Sequence, residues 1–191
     1  MSAVKDNIDE LDLQIVDLLS EDPRRPVNDI ANKMNVTRLT VTRRLNKLIK
    51  NELIALNVGL NLKKLGFRTA YIGFEIKDRE KKCKVLESLQ KCPRVLTILQ
   101  PEEEANIMVY CYGETNTTLE AFIETMRESF IDRMIYVHHS EPPIYPEKIC
   151  VKAFPEKIDI APCGRICEEC EDYQDRRCLG CPAVKAYRGI I

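Results

Sequence analysis

The chain has 191 residues, 45% hydrophobic and 31% charged, which suits a globular protein of one medium domain or two small ones. The opening stretch MSAVKDNIDELD is charged where a signal peptide needs an apolar run, and no segment nears the roughly 18 apolar residues of a membrane span. A cytoplasmic protein with reduced thiols and no membrane partner is expected. The net charge of −1 hides an asymmetry. Residues 1–21 carry one Lys and six Asp/Glu, so −5, whereas residues 22–64 carry ten Lys/Arg and three Asp/Glu, so +7. Such a basic block suits a phosphate-facing surface, and a merely solvated helix face is the plainer alternative.

Ile8, Leu11, Ile15, Leu18 and Leu19 recur at helical spacing. Asn7 with Glu10 resembles a capping box, and the helix is expected to end near Ser20, ahead of Pro23 and Pro26. A second short helix fits residues 26–34, with Pro26 in its first turn and Ile30, Ala31 and Met34 facing inward. Asn35-Val36 makes a tight turn. Thr37 then caps a third helix running to about Lys50, with the apolar stripe Val41, Leu45 and Leu48.

A short helix, a tight turn and a longer basic helix form a helix-turn-helix, whose second helix enters the DNA major groove. Thr37, Arg38, Thr40 and Thr42 are the candidates for base contact, because Arg reads guanine edges and Thr offers hydroxyl and methyl contacts. Arg43, Arg44, Lys47 and Lys50 are expected to face phosphates or solvent. The apolar stretch Leu53–Leu60 is expected to supply the two strands of a wing.

The middle of the chain reads as β-α-β-β-α-β. Strands are expected at 69–77, 94–100, 105–112 and 133–139, where β-branched and aromatic residues gather. Helices are expected at 78–91, from Val85, Leu86 and Leu89, and at 115–128, from Leu119, Phe122, Ile123 and Met126. This order is the ferredoxin-like arrangement.

With Leu11-Asp12, Ile15 and Leu18-Leu19, then DIANKMNVTRLTVTRRLNKL, then LIALNVGLNLKKLGF, the first 140 residues resemble the leucine-responsive regulator (Lrp)/AsnC family. The resemblance implies homodimers paired through the ferredoxin-like sheets, often in higher oligomers. It also implies palindromic double-stranded DNA operators and, often, amino-acid effectors between subunits. This chain departs from the family in the effector loop. A glycine followed by an aspartate is usual there, but the stretch here is Gln100-Pro101-Glu102-Glu103-Glu104-Ala105-Asn106. Three carboxylates would repel an amino acid's own carboxylate, which argues against such an effector.

Residues 141–160, with Pro142, Pro143, Pro146 and Pro155, read as a stiff linker. Beyond it, Cys163, Cys167, Cys170, Cys178 and Cys181 follow C-x3-C-x2-C-x7-C-x2-C. Residues 161–191 offer little apolar core, so a metal there would supply folding energy. Three readings remain open. One is a [4Fe–4S] cluster on Cys163, Cys167 and Cys170 with Cys178 or Cys181, where Cys181-Pro182 matches a ferredoxin habit. Another is a zinc knuckle on Cys167, Cys170, Cys178 and Cys181. The last is a set of unligated thiols. The fifth cysteine favours iron–sulfur, since closed zinc needs only four ligands.

The other cysteines take plain readings. Cys83 and Cys92 flank a helix, Cys111 sits in a buried strand, and Cys150 lies in the linker as the one extra thiol able to reach a cluster. His138 and His139 are adjacent in a strand, point to opposite faces and cannot chelate one metal.

The expected fold is α+β. Its parts are a winged helix-turn-helix (1–65), a ferredoxin-like dimerisation domain (66–140), a linker (141–160) and a cysteine-rich module (161–191). The expected function is a sequence-specific transcription regulator whose tail senses redox state or metal. One alternative is the same regulator with a structural zinc tail. The other is an enzyme resembling siroheme decarboxylases, which share the two-domain plan, although no acid–base constellation is visible.

Overall fold

The computed structural model describes residues 8–102, 104–151 and 157–190. The readings of Asn7 as a helix cap and of Pro155 as linker lie outside the described residues. The chain forms two compact units, Met1–Asn57 and Val58–Ile191.

The first unit holds α1 (Glu10–Glu21), α2 (Val27–Lys33) and α3 (Arg38–Lys50). Asp9 starts α1 through a reciprocal capping box, accepting from the Asp12 N–H at 2.9 Å while Asp12 accepts from the Asp9 N–H at 3.3 Å. Pro26 is the residue before α2 rather than part of its first turn, and its φ of −60° already suits a helix. Asn35 takes φ 53° in the tight turn between α2 and α3, a left-handed conformation that Asn tolerates. Ile15, Leu19, Ile30, Ala31 and Val41 form the core, with Leu18, Met34 and Leu45 packed on it.

The second unit is built on β2 (Arg68–Glu75), α4 (Arg79–Lys91), β3 (Val95–Leu99), β4 (Ile107–Gly113), α5 (Asn116–Ser129) and β5 (Arg133–Ser140). The four strands form an antiparallel sheet in the order β3-β4-β2-β5, the ferredoxin-like topology. Alternate residues of β2 and β4 (Ala70, Ile72, Phe74, Ile107, Val109, Cys111) point to one face. There they pack with Val85 and Leu89 of α4 and Leu119, Phe122, Ile123 and Met126 of α5.

The expected wing does not form as a hairpin. Residues 54–58 are irregular, and β1 is only Gly59–Leu60. β1 pairs antiparallel with β6 (Ile149–Cys150), from the stretch read as a linker. Leu60, Ile149 and Val151 pack against the cluster of Leu62, Phe67 and Tyr112. An apolar strand without a turn to fold it back on itself has found a distant partner.

Residues 157–190 belong to the second unit instead of trailing from it. Their own core is small: Ala161, Cys167, Tyr173 and Val184. Polar ties fasten them to the domain. The Ser88 hydroxyl donates to the Pro162 carbonyl, Arg165 pairs with Glu128 of α5 at 2.5 Å, and the Tyr187 hydroxyl donates to Glu114.

Candidate nucleic-acid interface and cysteine cavity

Helix α3 begins where the Thr37 hydroxyl accepts the Thr40 N–H at 3.1 Å. The Thr42 hydroxyl donates to the Arg38 carbonyl at 3.0 Å, and the Thr37 and Thr40 hydroxyls are 2.9 Å apart. These hydroxyls are therefore engaged with the helix itself, leaving their methyl groups as the freer recognition surface.

Arg38, Arg43, Lys47 and Lys50 are exposed. Arg44 is placed differently. Its Nη1 lies 2.6 Å from Asp9 Oδ2 and 2.8 Å from Asp12 Oδ1, so it ties α3 to the N-terminus of α1. The Arg44 hydrogen bond holds the Asp9 carboxyl below its ordinary range, and Asp9 and Asp12 raise Arg44 in return. Two residues passed over in the sequence also stand outward: Leu39, 57% exposed, and Asn46. Leu39, Arg43, Asn46 and Lys50 fall at i, i+4, i+7 and i+11, down the middle of the exposed face. The helical period carries this stripe, but an apolar Leu and a neutral Asn do not stand out by charge or hydroxyl in the sequence.

In the second unit a cavity brings together all five tail cysteines. Gly180 lines it, and a second glycine, Gly164, adjoins the lining residue Cys163. Gly164, after Cys163, has φ 83°, and Gly180, between Cys178 and Cys181, has φ 85°. A side chain would be strained at either position. The Cys181 sulfur accepts the Ala183 N–H at 3.5 Å, and Cys170 Sγ lies 3.6 Å from the Arg165 guanidinium.

Burial pushes the Cys163, Cys167 and Cys178 thiols up, because a low-dielectric wall disfavours thiolate. A bound cation reverses that preference. Among the described residues, no three His, Cys, Asp or Glu side chains are gathered closely enough to hold a single ion. The thiols line the cavity without meeting at one point.

The cavity also contains Cys92, Arg94 and Arg165, with Ala121, Phe122 and Thr125 from α5. Arg94 is 2% exposed. It is ion-paired with Glu114 and donates to the Gly180 carbonyl at 2.6 Å. Burial opposes its charge, but the Glu114 carboxylate outweighs that and raises its pKa.

Cys92 was read from sequence as an inert helix-flanking thiol, and nothing in its local sequence separates it from Cys83. Cys150, read as the extra thiol within reach, is exposed in β6 and does not line the cavity. Cys111 is a core thiol that donates to the Ala70 carbonyl at 3.5 Å, and burial pushes it up to about 12. His138 stacks on Tyr136, while His139 Nε2 faces Glu120 at 3.3 Å.

Residues 8–49 match the AsnC-type helix-turn-helix domain. An HTH-type transcriptional regulator of Pyrococcus furiosus is 33% identical over 122 residues, 62% of this chain and 81% of the relative. Two solved structures share the fold. E. coli AsnC is 19% identical, with TM-score 0.57 over 73% of this chain and 94% of its own. B. subtilis LrpC is 20% identical, with TM-score 0.59 over 73% and 98%. The Pyrococcus furiosus relative is named as a transcriptional regulator, which favours the regulator reading over the siroheme-decarboxylase one. A basic helix-turn-helix, a ferredoxin-like sheet and these likenesses converge: the chain belongs to the Lrp/AsnC family of DNA-binding transcription regulators.

Proposed function

We propose that the protein is a homodimeric regulator of palindromic operators whose cysteine cavity holds a [4Fe–4S] cluster and reports redox state or iron supply to the DNA-binding unit. The observation that carries this reading is the single cavity lined by Cys163, Cys167, Cys170, Cys178 and Cys181, within the same compact unit as the ferredoxin-like sheet. On α3, Thr37, Arg38, Thr40 and Thr42 face the bases, while Arg43 and Lys47 face phosphates.

The residues fit an anionic thiolate-ligated group. Cysteine sulfurs are its donors, the Arg94 and Arg165 guanidiniums offset its charge, and Ala121, Phe122 and Ala161 keep water away. When bound, such a cluster supplies a charge that changes by one electron at a potential tuned by nearby hydrogen bonds and burial. Arg94 sets the chain's response to that charge, since it joins Gly180 of the tail to Glu114, between β4 and α5.

An amino-acid effector is not part of this reading. Glu102 and Glu104 are exposed in the loop. The Asn106 amide is already engaged with Ile76, accepting its N–H at 3.1 Å and donating to its carbonyl at 2.9 Å.

Metal and sulfide analysis with a visible spectrum, on protein purified without oxygen, tests the cluster. Iron, sulfide and broad visible absorbance are expected. A colourless protein with zinc would replace the sensor by a structural module on the two C-x2-C pairs. Operator affinity is then compared for reduced, oxidised and tail-cysteine-substituted protein. Equal affinity in all three would end the sensing idea and leave the regulator.

A further inference from the structure

We infer that Cys92, at the end of α4 in the ferredoxin-like domain, is a ligand of the group held in the cysteine cavity, so that the site is shared between the regulator domain and its tail. The inference rests on the proposed thiolate-ligated group and adds a sixth cysteine that the tail motif does not contain.

Three observations set Cys92 apart from an ordinary core thiol. It lines the same cavity as the five tail cysteines. Its thiol is an electrostatic neighbour of that of Cys181, and Cys163 lies within reach of both. It also stands two residues before Arg94, which lines the cavity and binds the Gly180 carbonyl within Cys178-Leu179-Gly180-Cys181.

Cys111 provides the contrast within one domain. It too is buried, but its thiol donates to a backbone carbonyl of β2 and takes no part in the cavity. A core cysteine of that kind behaves as a small hydrophobe. Cys92 meets thiols and a guanidinium instead, the surroundings of a sulfur that gives up its proton to a metal. Binding would release the thiol protons to solvent and leave sulfur–metal bonds in their place, with no change of oxidation state required.

The consequence is a direct covalent route from the bound group to the sheet. Cys92 lies three residues before Val95, where the edge strand β3 begins. Its neighbour Arg94 accepts the Tyr112 N–H of β4 through its backbone carbonyl at 3.0 Å. Loss of the group would therefore loosen the α4–β3 junction itself as well as the tail.

The test uses the full chain, prepared without oxygen and reconstituted with iron and sulfide. Cys92→Ser changes one atom, Cys92→Ala is its small apolar counterpart, and either variant with a wild-type far-ultraviolet spectrum decides. Cys111→Ala is the control for a buried thiol outside the cavity. Retention of iron under chelator challenge should fall by at least about tenfold in the Cys92 variants, with an altered visible or electron paramagnetic resonance spectrum. Cys111→Ala should match the wild type. If the wild type carries the cluster and the Cys92 variants keep the same spectrum and retention, Cys92 is no ligand, although the cluster reading stands. If the wild type takes up neither iron nor zinc, both fall together. If it takes up zinc alone, the iron–sulfur reading falls and Cys92 is judged by the same criterion on zinc retention.

Discussion

The DNA-binding unit and the cysteine tail are similarly small but are held together differently. In the first unit three helices close on Ile15, Leu19, Ile30, Ala31 and Val41, and the N-termini of α1 and α3 are capped by the side chains of Asp9 and Thr37. In the tail the buried apolar residues are few, and half of the cluster built on Ala161, Tyr173 and Val184 is cysteine. The tail is tied to the ferredoxin-like domain by Arg94 to Gly180, Arg165 to Glu128 and Tyr187 to Glu114. A helical unit can carry its fold in a local pattern. A thiol-rich tail of this size needs a host surface, a bound group, or both.

That contrast can be broken first at Arg94. Arg94→Ala leaves Glu114 buried without its cation and removes the donor to Gly180. A loss of about 3–5 kcal/mol in the second unit is expected in denaturant unfolding, with helix-turn-helix stability unchanged. Ile30→Ala is the matching cut in the first unit. Ile30 is fully buried, and about 2–5 kcal/mol should be lost there while the second unit keeps its stability. If either substitution lowered both units equally, the division into independently stabilised parts would be wrong.

The next effects fall on recognition. Arg38→Ala should weaken operator binding by about 1–3 kcal/mol and random-sequence binding much less, as read by titration at fixed salt. Lys47→Ala should weaken both alike and lower the salt slope by about one. Intact operator affinity in Arg38→Ala would move base reading to the Leu39, Arg43, Asn46 face.

Smaller still is the loss of the cap. Thr37→Ala should lower stability of the first unit by about 1 kcal/mol. The Asp9–Arg44 pair adds a pH signature. Asp9 has a folded pKa below its unfolded value, so its contribution is complete above the unfolded pKa and is lost as pH falls through the folded one. Arg44→Ala should flatten that acid-side slope in the melting temperature. An unchanged slope would assign it to other carboxylates.

Much of this architecture was legible because its signals are local. Helical periodicity marks the three helices of the first unit and the two of the ferredoxin-like fold, and β-branched and aromatic residues mark its four strands, with ends displaced by one or two residues. Thr37 was recognised as a cap from its own position. The start of α1 was displaced because Asp9 pairs with Asp12, whereas the expected box joined Asn7 to Glu10. The wing failed for another reason, since the partner of Gly59–Leu60 lies at 149–150 and no local pattern reports a two-residue ladder over that separation. Cys92 was missed in the same way. It shares the cavity with Cys181 only through the fold, and neither residue's local sequence carries that fact.

The short ladder between β1 and β6 has a mechanical side. Gly59 lies so close to Lys148 that an added Cβ would stand 2.9 Å from the lysine's own. Only a bare backbone lets this clasp shut. One side of it is the strand from which the DNA-binding unit departs, and the other leads toward the tail. A bulky residue at position 59 would open this two-residue ladder and displace Cys150 opposite it, while leaving α3 and the cysteines of the cavity as they are.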